Sequence, residues 1–159
     1  MRKIIVGFSK PKSIFKPFAW LIRWYEGTPF SHVYMKHHSE KYDCDLIYQA
    51  SGAQVNFMSE ANFNHSSVTL EEYEFDVTDQ EFDTYMAWAI RNAGAPYSLK
   101  KVLEIVFKKD IWPTDEPQWV CSVLAAFAIK SKIIGAFNWQ LATPKDIKEL
   151  CLVYGKRVS

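Results

Sequence analysis

The sequence predicts an α+β fold, in which helices pack against a small antiparallel β-sheet. Two observations indicate this class. Short segments rich in β-branched and aromatic residues dominate the first half of the chain, and segments with helical spacing of apolar residues dominate the second half. The chain has 159 residues, the size of about one domain, so we expect a single domain over residues 1–159.

The chain is predicted to begin with a strand and a short helix. A row of β-branched and apolar residues predicts the strand over Lys3–Phe8. After two prolines, Phe18–Tyr25 has an apolar stripe at helical spacing and predicts the helix. Gly27 and Pro29 are typical of residues that follow a helix end.

Four further strands are expected after this helix. Three of them, Ser31–Lys36, Asp45–Ser51 and Gln54–Met58, are predicted to be antiparallel, with a hairpin turn between the last two. The polar segment Asn62–Ser67 is predicted to be a loop. Val68–Val77 is predicted as the next strand, although its alternation of apolar and polar residues is imperfect.

The rest of the chain is predicted to be helical. Thr78 and Glu81 have the spacing of a capping box, which predicts a helix from there to about Asn92. Helical spacing, or a proline at a first helical position, predicts three more helices. They cover Tyr97–Lys108, Val120–Lys130 and a short segment that begins at Thr143. Two prolines make Lys109–Gln118 a predicted loop.

Composition excludes two broad classes. With 48% hydrophobic and 23% charged residues, the chain can bury an ordinary core, so intrinsic disorder is not expected. The net charge is +1, which gives no electrostatic basis for binding nucleic acid.

The cysteines and the N-terminus indicate a reducing compartment. The three cysteines are Cys44, Cys121 and Cys151, an odd number without close pairing, which argues against a disulfide framework. Lysines follow the first residues at once, so no secretory signal is recognisable. No stretch approaches the ~18 apolar residues of a membrane span. We therefore expect a protein that is cytoplasmic as synthesised.

No cofactor and no metal are expected. A metal site would have to use His37, His38, Cys44 and His65, which lie near one another in the sequence. They lack the paired spacing of common zinc sites. His37 and His38 come at the end of the predicted strand and are expected to be exposed.

Cys121 and His32 are the candidates for nucleophilic chemistry. Cys121 is expected at the first turn of a helix, where free backbone N–H groups favour a thiolate and would bind an oxyanion. His32 is expected on a strand and would act as the base. Gln49, on the following strand, has an amide oxygen that could orient the imidazole. Each of the three also fits a purely structural role.

Four fragments together resemble a known family. They are Leu21–Met35, which contains Ser-His-Val, then Ile47–Gly52, Gly94–Ser98 and Trp119–Leu124, which contains Cys-Ser-Val-Leu. In this order they are similar to the motifs of the circularly permuted papain-like cysteine hydrolases and acyltransferases, which are related to NlpC-type cell-wall peptidases and to lecithin retinol acyltransferase.

The resemblance implies a permuted papain-like fold and a Cys-His-Gln site. Cys121 would be the nucleophile, His32 the base and Gln49 the orienting residue. The substrate would be an amide or an ester, either a cell-wall peptide or a lipid or other acyl compound. A cell-wall substrate would require delivery of the protein by a phage, lysis or injection system.

Two departures from the family pattern leave alternatives open. The third catalytic position, often Glu, is Gln49, and Ser98 stands where the family turn has Asp. A domain that kept the fold and lost the chemistry would serve in structure or assembly. The segment Phe15–Trp24 mixes basic and aromatic residues, so a peripheral contact with a membrane surface is a further alternative. The oligomeric state is not predicted.

Overall fold

The computed structural model describes residues 1–13, 17–51, 54–107, 119–129 and 138–159, and within them it has the predicted α+β fold. Six strands in these ranges form one antiparallel sheet. They are β1 (Arg2–Pro11), β2 (His32–Ser39), β3 (Cys44–Ser51), β4 (Gln54–Ser59), β5 (Ser67–Val77) and β6 (Lys156–Arg157). Their order across the sheet is β4-β3-β2-β1-β5-β6, so consecutive strands from β1 to β4 are neighbours.

Six α-helices lie in the described ranges. They are α1 (Pro17–Glu26), α2 (Glu60–Ser66), α3 (Asp79–Asn92), α4 (Leu99–Phe107), α5 (Cys121–Ile129) and α6 (Pro144–Tyr154). The capping box predicted for α3 is present, since the Thr78 N–H donates to Glu81 at 2.8 Å and the Glu81 N–H donates to Thr78 at 3.2 Å. None of these helices is long and apolar enough to cross a bilayer.

The two faces of the sheet are covered differently. We call the side covered by α3, α5 and α6 the α5 face. There Val33 and Met35 of β2 belong to apolar clusters with residues of these helices. We call the other side the α2 face, where Tyr34 and Ile47 pack against Phe63 of α2. Alternation along β2 therefore sends consecutive side chains into two different environments.

On the α2 face, a tyrosine ring crosses a glycine. Tyr34 is the pairing partner of Gly7 on β1, and a Cβ at position 7 would lie 2.1 Å from the Tyr34 ring. The Tyr34 hydroxyl donates to Glu72 at 2.7 Å, which fixes the ring in place. Position 7 therefore has no room for a side chain while Tyr34 occupies this place.

The predicted loop over Asn62–Ser67 is wrong, because most of this segment belongs to α2. The Ser59 hydroxyl caps the helix by accepting from the Asn62 N–H at 3.3 Å. Phe63 is the buried residue of α2. Because only one of its residues is a buried apolar one, the segment shows no helical periodicity, and its polar composition is like that of a loop.

The expectation that His37 is exposed is also wrong. Its side chain is 4% exposed and makes edge-on ring contacts with Phe57, Phe82 and Tyr85. Burial lowers the pKa of His37 to about 4, so the buried ring is neutral. His38, the next residue, is exposed as predicted.

All five predicted strands are present, with bounds that differ by up to three residues, and the two-residue strand β6 is not among the predictions. The imperfect alternation of β5 has a structural cause, since a register shift beside Phe8 and Ser9 of β1 leaves Leu70 as an extra residue. The predicted turn at Gly52 and Ala53 and the predicted loop Lys109–Gln118 lie outside the described residues.

Candidate active site

Cys121 is the first residue of α5, and backbone pairing holds the chain just before it. Trp119 forms a parallel bridge with Tyr97, and the residue before Tyr97 is bridged to Gln54 of β4. The start of α5 is therefore tied to the edge strand of the sheet. The fragments around Tyr97 and Cys121, two of the four that carry the family resemblance, lie side by side.

Cys121 lines a small cavity between α1, α4, α5 and the start of α6. Counting open solvent, the space between its walls is about 360 Å³, and the volume open to the centre of a water molecule is about 20 Å³. Most of its wall is apolar, and its polar groups are one carboxylate, the thiol, and the hydroxyls of two tyrosines, a serine and a threonine. The lining residues are Ile22, Tyr25, Glu26, Tyr97, Val102, Ile105, Val120, Cys121, Ser122, Thr143 and Pro144.

The Cys121 thiol is neutral in this environment. The side chain is 4% exposed, and burial raises the pKa of the thiol to about 11. Hydrogen bonding from the backbone N–H groups of Val33, Ser122 and Cys121 itself lowers this pKa, while the Glu26 carboxylate raises it. The expectation of a ready thiolate at the helix N-terminus is therefore not met in the resting structure.

His32 and Gln49 are in direct contact. The distance between His32 Nε2 and Gln49 Oε1 is 2.6 Å. Because the Gln49 nitrogen donates to Met58 Sδ at 3.3 Å, the amide oxygen is the atom turned to the imidazole. An amide oxygen only accepts, so Nε2 carries the hydrogen and Nδ1 carries the lone pair of the neutral ring. Gln49 thus has the geometry of the predicted orienting residue.

The thiol and the imidazole approach β2 from opposite sides. His32 and Gln49 lie on the α2 face, where the His32 ring is 6.4 Å from the ring of Phe63, whereas Cys121 comes from the α5 face. The described ladder between β2 and β3 ends at Met35 and does not reach His32. The Cys121 sulfur reaches the backbone of Val33, the neighbour of His32.

The structure thus joins His32 to Gln49 directly and brings Cys121 to the residue next to His32. It does not support the alternative metal site. Among the described residues, no group of three or more His, Cys, Asp and Glu side chains is placed to hold a metal ion.

Glu26 is a site residue that the sequence reasoning does not single out. It lines the same cavity as Cys121 and interacts electrostatically with the thiol. The signal is its position four residues after Ile22, on the apolar stripe of α1, where a charged residue is unusual unless it has a partner.

Comparison with known proteins identifies no family for this chain. No family model matches the sequence, and no curated protein is detectably similar to it.

Proposed function

We propose that this protein is a cysteine-dependent hydrolase or acyltransferase that cleaves an amide or an ester. Cys121 is the nucleophile, His32 the general base and Gln49 the residue that orients the base. The observation that carries this proposal is the 2.6 Å contact between His32 Nε2 and Gln49 Oε1. It selects the tautomer that a base needs, with a basic Nδ1.

In the proposed reaction, Nδ1 of His32 takes the proton of the Cys121 thiol as the sulfur attacks the substrate carbonyl carbon. The carbonyl oxygen becomes an oxyanion, and the backbone N–H groups of Cys121 and Ser122 at the start of α5 stabilise it. The imidazolium then gives its proton to the leaving amine or alcohol, and a thioester remains on Cys121. Water, or another acceptor, attacks the thioester and releases the acyl group.

The raised pKa of Cys121 supports general-base activation rather than a permanent ion pair. A thiol with a pKa of about 11 is protonated at neutral pH, so attack requires proton transfer during the reaction. The neutral amide of Gln49 agrees with this order, because it stabilises an imidazolium less than a carboxylate does.

The test uses short- and long-chain p-nitrophenyl esters as acyl donors, with mass spectrometry of the protein. We expect a thioester adduct on the Cys121 peptide and release of p-nitrophenol in excess of the enzyme. Cys121→Ala abolishes both, and His32→Ala slows adduct formation by about a hundredfold or more. Peptide p-nitroanilides in the same assay separate amide from ester substrates.

Cys151→Ala is the matched control. Cys151 is also buried, with a pKa that burial raises to about 12, but it lies within α6 rather than at a helix start. Its removal should leave acylation unchanged. Full turnover by Cys121→Ala, or an adduct on Cys151, would overturn the proposal.

A second candidate, a domain without catalysis that binds a membrane surface, is favoured by one observation. Trp20 and Trp24 of α1 are 57% and 69% exposed, and their rings stack 6.2 Å apart. Exposed tryptophans are typical of helices that lie in a lipid interface. If no acyl donor modifies Cys121 and the protein sediments with anionic liposomes, this second function replaces the first.

A further inference from the structure

Glu26 lies at the last turn of α1, where a negative charge gains nothing from its own helix dipole. It faces the N-terminus of α6 instead. The Lys145 backbone N–H donates to Glu26 Oε2 at 3.3 Å, and the Thr143 side chain also hydrogen-bonds to the carboxylate. These contacts hold the carboxylate at a fixed position in the wall of the cavity.

The charge in the cavity is one-sided. Of the described residues that line it, Glu26 is the one with a carboxyl group, and no Lys, Arg or His is among them. Burial raises the pKa of Glu26, while the donors at Thr143 and Lys145 lower it and support the ionised form. The neighbouring Asp146 adds a second negative charge, which the exposed Lys145 ammonium partly offsets.

We propose that Glu26 selects the substrate by charge: a group that enters the cavity beside Cys121 is uncharged or carries an amine, and carboxylates and phosphates are rejected. This inference rests on the proposed function, because it assigns the substrate class of that same site. An apolar wall with one carboxylate favours an uncharged or ammonium-bearing group over an anion.

The size of the effect follows from the distance between charges. A charged group inside a cavity this small lies within several ångströms of the carboxylate, where one unit charge changes binding by about tenfold to a hundredfold. Since the attraction for a cation and the repulsion of an anion add, their ratio is the most sensitive measurement.

The experiment measures how fast Cys121 itself reacts with three methanethiosulfonates. The reagents carry an aminoethyl, a methyl or a sulfonatoethyl group, so they are cationic, neutral and anionic. In each case the Cys121 thiolate attacks the sulfenyl sulfur, a mixed disulfide forms and methanesulfinate leaves. Rates are read on the Cys121 peptide by mass spectrometry, which excludes reaction at Cys44.

The ratio of the cationic to the anionic rate should fall by about tenfold or more in Glu26→Gln. This variant keeps an oxygen acceptor for the Lys145 N–H and the Thr143 hydroxyl. Any change in the thiolate fraction of Cys121 alters all three rates equally and cancels in the ratio. Glu26→Asp keeps the charge and should keep the ratio within about threefold. This second variant keeps the test decisive even if Glu26→Gln disturbs the α6 cap.

Glu40→Gln is the matched control, because Glu40 is an exposed residue of the β2–β3 turn and its loss changes the net charge equally. It should leave the ratio unchanged. An unchanged ratio in Glu26→Gln overturns the inference, and so does a Cys121 that none of the three reagents modifies. Failure of the proposed function is separate: it appears as a normal neutral-reagent rate in His32→Ala.

Discussion

On the α5 face of the sheet, helices meet the strands through apolar side chains, whereas on the α2 face the strands carry charges and hydrogen bonds. Strand β2 contributes to both. Val33, Met35 and His37 point to the α5 face, and His32, Tyr34 and Lys36 point to the α2 face. The two environments therefore meet within one strand, at residues that are neighbours in sequence.

The difference shows how environment sets the state of an ionisable group. On the α5 face burial alone dominates, so His37 is neutral and the Cys121 thiol has a raised pKa. On the α2 face buried groups have partners: Lys36 donates to Glu72 at 2.9 Å, and His32 contacts Gln49. The proposed chemistry needs both, a thiol kept neutral until it reacts and a histidine held in one tautomer.

The largest expected effect is on the α2 face, in the free energy of unfolding. Lys36 and Glu72 are 8% and 10% exposed, so Lys36→Met leaves a buried carboxylate with the Tyr34 hydroxyl as its remaining partner. Removing one partner of a buried ion pair costs about 3–5 kcal/mol. Urea denaturation at pH 7 measures it.

Lys3→Met is the control for that variant, since Lys3 pairs with Glu74 but is 60% exposed. It should cost less than about 1 kcal/mol. Equal losses in the two variants would mean that burial does not make the Lys36–Glu72 pair more costly to break than an exposed pair.

The next effect is the pH dependence that His37 gives to stability on the α5 face. Its pKa of about 4 in the folded protein is below the value of about 6.5 in an unfolded chain. The unfolded state therefore binds the proton first, and stability that is present above pH 6.5 is lost as pH falls towards 4. The loss at pH 4.5 is about 2–3 kcal/mol.

Thermal or urea unfolding between pH 7 and pH 4.5 measures this loss. His37→Leu should remove that part of the pH dependence, while His38→Gln, at an exposed position, should keep it. If the two variants show the same pH profile, His37 is not the group responsible.

A smaller effect tests whether the two faces act together. Gln49→Ala removes the acceptor that fixes the His32 tautomer, so the rate of Cys121 acylation by p-nitrophenyl acetate should fall by about tenfold. Gln49→Glu should restore or raise the rate, because a carboxylate stabilises the imidazolium. Met58→Leu, which removes the other partner of Gln49 but not the contact with His32, is the control.

The smallest effect is expected at α1. Trp20→Ser combined with Trp24→Ser should change the free energy of unfolding by less than about 0.5 kcal/mol, because both side chains are exposed. Sedimentation with anionic liposomes is the second measurement. If these two residues bind lipid, the double variant loses the sedimentation, and Tyr42→Ser, at another exposed aromatic position, keeps it.

Local signals in the sequence predict most of the fold, whereas burial that depends on long-range contacts is not predictable from them. The α3 capping box and the proline at the start of α6 act within one turn, so both helices were predictable. The burial of His37 depends on Phe82 and Tyr85 of α3, more than 40 residues later in the chain. No pattern around His37 contains that information.

The candidate site shows the same contrast between features that local sequence predicts and features that depend on distant residues. Strand alternation alone indicates that His32 points away from Val33 and Met35, and in the structure they lie on opposite faces of the sheet. His32 Nε2 and Gln49 Oε1 lie 2.6 Å apart, as the orienting hypothesis requires, and the roles of the two residues stay a prediction. Glu26 was missed because its role depends on α6, whose first turn lies 119 residues further along the chain.

The crossing of Tyr34 over Gly7 ties two positions to each other in evolution. Any side chain at position 7 would overlap the Tyr34 ring, with Cβ only 2.1 Å from it. A related sequence that carries alanine or a larger residue at position 7 should therefore have a small residue at position 34. Glu72 would keep its ion pair with Lys36 in such a sequence, so it need not change. Positions 7 and 34 should vary as a pair, and an alignment that contains this covariation would identify true relatives of this chain.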